Sequence, residues 1–558
     1  MITAGSEQNL WDRHLLRDMI ARLGLFFGLE RRIFGLLVTY AVTIGLFSLI
    51  IPLTVQELVN TFAFAIQPIM IITLAGIMML ILLFVAAFRA LQMYAEEVIE
   101  RRIFARIAFA LSQQLPRFRD QNFRPEYANR FLEAVLMQRA LGALAVDIVN
   151  VIVGGMIGMT LLVFYHPYFL VFDAFLLVGF GAIVFLLSHG GLRTTLVMSE
   201  AKYHTLQWMQ DIANNLLHFK ATVSGALLLK KTDDLVTTYL EARRNRFRVL
   251  IRQYLGSVGF QALGHSGLIL TAGWLLAIGQ LTLGQLVAAE VVVATLLLNF
   301  DSVVKRMYVV FYFFTSLAEL DSLLALPKDV VGGQLGVPLP DPTVHGVRLV
   351  CKDVSFAYPD SPPVFEHFNL EVTAGEKLAI FPHTSTGKST LAKVLAGLYA
   401  PTTGIIRYNG VDLRDLDIDT INRCRGLVLS SPLSLFEGTI EENITMGRPQ
   451  ILYEDLLWAL RFVEMEEEVD AMPLGLKTSV RSRGKAFPTG QILRILIARA
   501  IVIRPQLLIF EGTLHNMEPG TREVILRRLC SKEEPWSVIF ISNDPTLEAH
   551  VDRRLLMD

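Results

Sequence analysis

Cysteine is scarce in this chain: Cys351, Cys424 and Cys530 are the three among 558 residues. No metal or disulfide spacing links them, so they read as buried thiols. Net charge is nearly absent too, with 51 basic against 52 acidic residues and a sequence pI of about 6.9. That balance removes any general electrostatic case for nucleic acid. No cleavable leader is apparent, because about 30 polar and amphipathic residues precede the first apolar run. Lysine and arginine are missing from three short stretches, 54–67, 166–167 and 280–284.

What is abundant is apolar. The chain is 53% hydrophobic with a mean hydropathy of +0.47, and the excess concentrates in the first 320 residues. Uncharged runs cover 33–52, 69–88, 148–165 and 255–278; two more, 168–188 and 286–300, carry one acid each, Asp173 and Glu290. A bilayer core needs about 20 apolar residues of helix, which predicts six spans. Basic residues crowd 89–139, 193–252 and the start of the chain at Arg13, Arg17, Arg22, Arg31 and Arg32. By the positive-inside rule both termini and both long loops are cytoplasmic, in a multi-pass protein of the inner (plasma) membrane. Asp173 and Glu290 are candidate membrane-cavity residues, since ionisable groups in spans face protein or water. A polar pair between helices is the equally open alternative, with His265 a weaker candidate and Asp147 an interfacial residue.

The two long loops are helical in pattern and, at about 1.5 Å per residue, reach some 30 to 40 Å from the membrane and back. Residues 122–134 and 202–215 suit turns at their tips, with aromatics for docking on another domain; plain amphipathic surface helix is the rival reading. A Pro/Gly-rich linker follows at 326–342. Beyond it, "VRLVCKDVSFAY", "KLAIF", "RGLVLS", "QLLIF" and "SVIFIS" alternate with helical stretches, which predicts an α/β domain with a mainly parallel sheet. The expected division is therefore 1–32 cytoplasmic, 33–325 helical membrane domain, 326–342 linker and 343–558 α/β domain.

"AIFPHTSTGKSTL", residues 379–391, is a phosphate-binding loop short of glycine. The G-x-x-x-x-G-K-[ST] pattern uses glycines to turn the backbone and aim N–H groups at phosphate. Gly387, Lys388 and Ser389 are in place, but Pro382 holds the first glycine position and Ser385 sits where another often falls. Lys388 suits β- and γ-phosphates and Ser389 suits magnesium. The backbone N–H groups from Ser385 through Thr386 to Ser389 suit phosphate at a helix N-terminus, and Thr390 completes the candidate nucleotide-binding set. Pro382 has no N–H but keeps Phe381 extended, which stiffens the loop rather than destroying it. A nucleotide-binding loop and an empty loop kept for packing both remain open.

Further motifs fall in a fixed order: "VSFAYP" at 354–359, "LSLFEGTIEENI" at 433–444, "FPTGQILRILIARA" at 487–500 and "RPQLLIFEGT" at 504–513. With "GQLTLGQLVAAE" at 279–290 in the membrane half, the chain resembles a half-transporter of the ATP-binding-cassette (ABC) exporter type from about residue 25 onward. The resemblance implies a helical transmembrane domain of six spans fused to an α/β P-loop NTPase-like domain. It implies ATP and Mg2+ as ligands, Tyr358 stacking on adenine, and magnesium held by Ser389 and Glu511. Phe487, Pro488, Thr489, Gly490 and Gln491 stand as the signature that faces a second subunit's nucleotide.

The departures from the family pattern are several. Gly512 holds the position of the catalytic glutamate and Asn543 that of the switch histidine. Ser431 replaces the glutamine-loop glutamine, and "HNME" at 515–518 replaces the D-loop pattern. Family members usually continue past the equivalent of Asp558. Without a side chain at Gly512 to activate water, a factor of roughly 10² to 10⁴ is lost. Hydrolysis at this chain's own site is therefore expected to be absent or very weak. The resemblance then implies the degenerate half of a heterodimer, paired with a more complete ABC subunit and exporting an unidentified substrate. A pseudo-ATPase membrane scaffold or regulator is the alternative, and an active homodimer would need both defective sites to work. The segment before the first span is too short for the peptidase-like domain of some peptide exporters.

Overall fold

The computed structural model describes residues 31–62, 68–118, 129–222, 225–328, 346–359, 361–382, 387–429, 435–481, 487–512 and 514–557. The chain divides into two compact units, Met1–Asp329 and Val330–Asp558.

The first unit is all helix among its described residues. Its helices are α1 (Arg31–Ser48), α2 (Ile50–Phe62), α3 (Pro68–Gln114), α4 (Phe131–Tyr165), α5 (Phe169–Phe185), α6 (Gly191–Asn214), α7 (Leu216–Thr222), α8 (Gly225–Ala277), α9 (Leu283–Lys305) and α10 (Met307–Leu324). Four helical stretches are long and apolar enough to cross a membrane: Arg31–Thr61, Pro68–Arg117, Phe131–Tyr165 and Leu283–Leu324. The shorter α5 is equally apolar in character. The expected span at 255–278 forms the C-terminal part of α8, where Gln261 and His265 interrupt the apolar run. Leu80, Phe164, Val171, Phe185 and Leu270 all face outward. Such a skin of large apolar side chains suits lipid rather than water.

The second predicted tip turn is displaced. Lys202 to Asn214 continues α6 unbroken, and the helix ends at its C-cap Asn215, the last residue of the predicted tip. No proline or glycine interrupts Lys202–Asn214, so nothing stops the helix there. Trp208 is buried inside the unit, with its Nε1 donating to Thr232 Oγ1 at 3.0 Å, Lys231 over its ring and Phe219 at its edge. It is not a free docking aromatic. The first predicted tip falls mainly outside the described residues. Of the expected linker, Lys328 bridges antiparallel to Phe118 and Leu326 packs with the helical core.

The second unit joins two main sheets. A four-stranded antiparallel sheet has the order β2-β1-β4-β5, from β1 (Leu349–Ala357), β2 (Pro363–Val372), β4 (Thr403–Tyr408) and β5 (Val411–Asp412). A five-stranded parallel sheet has the order β11-β3-β10-β9-β6, from β3 (Lys377–Pro382), β6 (Arg425–Val428), β9 (Leu507–Glu511), β10 (Ser537–Ile541) and β11 (Arg553–Met557). The two-residue strands β7 (Gly438–Thr439) and β8 (Ser479–Val480) pair with each other. Every residue of β9 and β10 is buried, as expected where helices cover both faces of a parallel sheet. This arrangement places the C-terminal ends of β3, β9 and β10 side by side, where α/β folds put their ligands.

Candidate nucleotide site

Strand β3 runs through Pro382 and is hydrogen-bonded in parallel to β10 and β11. Proline at the strand end fits because its fixed φ is compatible with extended backbone. Helix α11 (Lys388–Leu395) begins six residues later. Residues 383–386, with Ser385 and Thr386 among them, lie outside the described residues. Gly387 caps α11 at φ +94°, and an added Cβ would stand 3.0 Å from Val364 Cγ1. The positive φ favours glycine there, and the Val364 methyl leaves little room for a side chain. Lys388, Ser389 and Thr390 form the first helical turn, whose backbone N–H groups lack intrahelical partners and favour an anion.

Ser389 Oγ donates to Glu511 Oε1 at 2.8 Å, and Glu511 is the buried last residue of β9. A hydroxyl beside a buried carboxylate is a hard-oxygen donor set that fits Mg2+. Ser389 and Glu511 would hold the ion, which when bound neutralises charge on phosphate oxygens. Among the described residues, no cluster of three His, Cys, Asp or Glu forms another metal site.

The residue after Glu511 is Gly512, at φ +57° with its N–H donating to Ile541 O at 3.0 Å. It offers no side chain to a water. Asn543 is exposed beyond β10. Tyr358 follows β1, half-buried, with its hydroxyl 2.9 Å from Thr390 Oγ1 and its ring edge-on to Phe356 and Tyr399. Tyr358, Gly387, Lys388, Ser389, Thr390 and Glu511 are thus brought together around the start of α11.

The signature residues open a different helix, α16 when the short helices Ile418–Cys424, Ile440–Thr445, Tyr453–Phe462 and Glu466–Asp470 are α12 to α15. Pro488 is the N-cap of α16 (Thr489–Ile501), and Pro488 and Thr489 are exposed. An exposed helix start suits a contact with a second molecule. Gly490 lies under Asn516, whose carbonyl oxygen would stand 3.3 Å from an added Cβ. Gln491 Nε2 donates to Glu468 Oε2 at 3.0 Å, and Arg494 pairs with the same carboxylate at 2.7 Å.

A residue cluster not singled out by sequence reasoning braces this helix. Asn443 is fully buried and bonds the backbone of Phe436 and Thr439, while Arg499 donates to its carbonyl at 2.6 Å and its side chain at 2.9 Å. Burial first, then the neighbouring Arg448, pushes the Arg499 guanidinium down to about 10. In the helical unit, Asp173 is buried among apolar side chains with neither oxygen hydrogen-bonded. Glu290 lies 2.7 Å from His265 Nδ1. Neither lines the cavity of about 760 Å³ in that unit, which Arg89, Gln92, Asp147, Asn150, Asn299 and Arg306 border instead.

The ABC transporter family matches residues 365–513. A leukotoxin translocation ATP-binding protein, LktB, of a Pasteurella haemolytica-like species is 27% identical over 320 residues, 56% of this chain and 44% of its own length. A multidrug efflux ATP-binding/permease protein of Mycobacterium bovis is 32% identical over 275 residues, 49% of this chain and 23% of its own length. The chain thus spans less than half the length of either relative. A solved bacterial Atm1-family ABC exporter with ATP bound has a TM-score of 0.83 at 20% identity, covering 95% of this chain and 94% of that one. Residues 365–513 match the ABC transporter family, and the chain that carries them has the fold of that solved ABC exporter, a helical unit followed by an α/β unit.

Proposed function

We propose that this chain is the degenerate half of an ABC exporter that moves a substrate out of the cytoplasm in an inner membrane. Its six spans would be the runs named above, with both termini and the α/β unit cytoplasmic. A second, more complete half-transporter supplies the hydrolysing site. In this reading Tyr358, Gly387, Lys388, Ser389 and Thr390, with Ser385 and Thr386, hold a nucleotide, and Ser389 and Glu511 hold its Mg2+. The bound nucleotide acts mainly as glue, stabilising a closed pair without being consumed. Phe487, Pro488, Thr489, Gly490 and Gln491 face the partner's nucleotide.

The hydrogen bond between Ser389 and Glu511 carries this reading. It ties Glu511 to the metal-binding role at the end of β9, which leaves Gly512 at the position where a base would stand. The site keeps its phosphate-binding and metal-binding groups and has lost the group that activates water. In the assembled pair, replacing the partner's phosphate-loop lysine abolishes ATP hydrolysis. Lys388→Ala lowers nucleotide occupancy and leaves most of the turnover intact. Equal loss of steady-state ATPase in both variants contradicts the asymmetry. ATPase without substrate flux would favour the scaffold reading over export.

A further inference from the structure

The cavity of about 760 Å³ in the helical unit is graded from one end to the other. Helix α9 and its C-cap contribute Val291, Thr295, Asn299, Ser302 and Arg306, spaced by four, four, three and four residues and so on one face. Polarity rises along that stripe over about 22 Å, at about 1.5 Å per residue. Helix α4 runs the other way with the same grading, from Asp147 and Asn150 to Gly154 and Gly158. Helix α3 adds Arg89 and Gln92 at the polar end, and α1 adds Ile44 and Gly45 deeper in.

The polar end is held in shape and keeps a charge. Gln92 and Asn150 exchange two hydrogen bonds, at 2.9 and 3.2 Å, which consumes their polarity on each other. Arg306 pairs with Asp147. Glu96, one turn beyond Gln92, lies close enough to Asp147 and Arg306 to interact with both charges, whereas Arg89 has no ion pair among the described residues and is the cation left over at this end. The apolar end is left roomy by glycine: an added Cβ at Gly154 would meet nothing within 4 Å. A volume of this size fits one ligand of small-molecule dimensions, of about 300 to 1,000 Å³.

We propose that this cavity takes an amphiphile with a single anionic head. The head sits between Arg89 and Arg306, and the apolar body lies among Ile44, Gly45, Gly154 and Val291. The proposal deepens the export reading by naming a substrate class, and rests on it only for the assignment of the arginine end to the cytoplasmic side.

Binding of dansyl-labelled undecanoic acid and of its methyl ester to the full chain in zwitterionic lipid nanodiscs tests it, with protein-free nanodiscs as the blank. The acid binds about tenfold more tightly than the ester, the difference one charge-assisted hydrogen bond makes. Arg89→Gln and Arg306→Gln each reduce that preference while leaving ester binding unchanged. Gly154→Leu, which fills the apolar end, weakens both ligands. Arg89→Gln leaves no partner orphaned, so it reads the charge even if Arg306→Gln unfolds the bundle by stranding Asp147. Equal affinity for acid and ester, or a preference indifferent to Arg89→Gln, overturns the proposal. The assay contains no ATP, so acid-selective binding without ATP-driven flux would sink the export reading and leave this one standing.

Discussion

At the scale of single residues, Glu511 and Gly512 are the most legible pair. A run of apolar positions ending on an acid marks a buried central strand, so the end of β9 at Glu511 followed from the sequence alone. Gly512 adds something the sequence did not hold. Its φ of +57° is a conformation that costs a side-chain-bearing residue about 1–2 kcal/mol. Gly512→Glu therefore adds a carboxylate at some cost in stability. The thiols are legible in part, since Cys351 and Cys424 are buried as expected and Cys530 is half-buried. Burial pushes Cys351, Cys424 and Cys530 from 9.0 up to about 12. Held that far above their ordinary range, the thiols keep very little thiolate near neutral pH. All three resist a thiol-specific disulfide reagent in the folded chain and react once denaturant is added. Rapid native-state modification would show that the packing around them is looser than described.

At the scale of elements, strands were easier to place than the ends of helices. Short apolar runs bounded by turns announce β3, β9 and β10, whereas α6 runs on to Asn214 because no residue stops it earlier. The brace between Asn443 and Arg499 was not legible, since its members lie 56 residues apart in two separate motifs and only the fold brings them into contact. Asn443→Ala removes the side-chain bonds to Phe436, Thr439 and Arg499 and leaves the half-buried Arg499 guanidinium one acceptor short. It lowers the stability of the α/β unit by about 2–4 kcal/mol, given that each buried polar group left unpaired costs about 1–3 kcal/mol. Thermal unfolding followed in that unit reads the loss, and a shift near zero would remove Asn443 from the supports of the signature helix.

At the scale of the whole molecule, the apolar runs and the missing basic residues point to one topology. Single cysteines placed at Glu57, His166 or Thr282, in a chain whose own cysteines are replaced, are labelled from outside the cell. Positions near Arg124 and Lys220 are protected. The reverse pattern would invert the orientation. The membrane cavity was not legible. Asp173 and Glu290 stood out as charges inside apolar runs and do not line it; its polar rim is formed by residues near the ends of such runs, on three helices and a helix cap. Asp147 and Arg306 look interfacial one at a time and form a pair only once α4 and α9 are packed.

The central claim is that this chain's own site holds a nucleotide and does not cleave it. The most direct measurement incubates the purified full chain with Mg2+ and ATP labelled on the terminal phosphate, separates bound from free nucleotide, and identifies what is bound. The account predicts intact ATP, retained stoichiometrically and lost in Lys388→Ala, with no phosphate released above a protein-free control. Bound ADP with labelled phosphate in solution, abolished by Lys388→Ala, would contradict it.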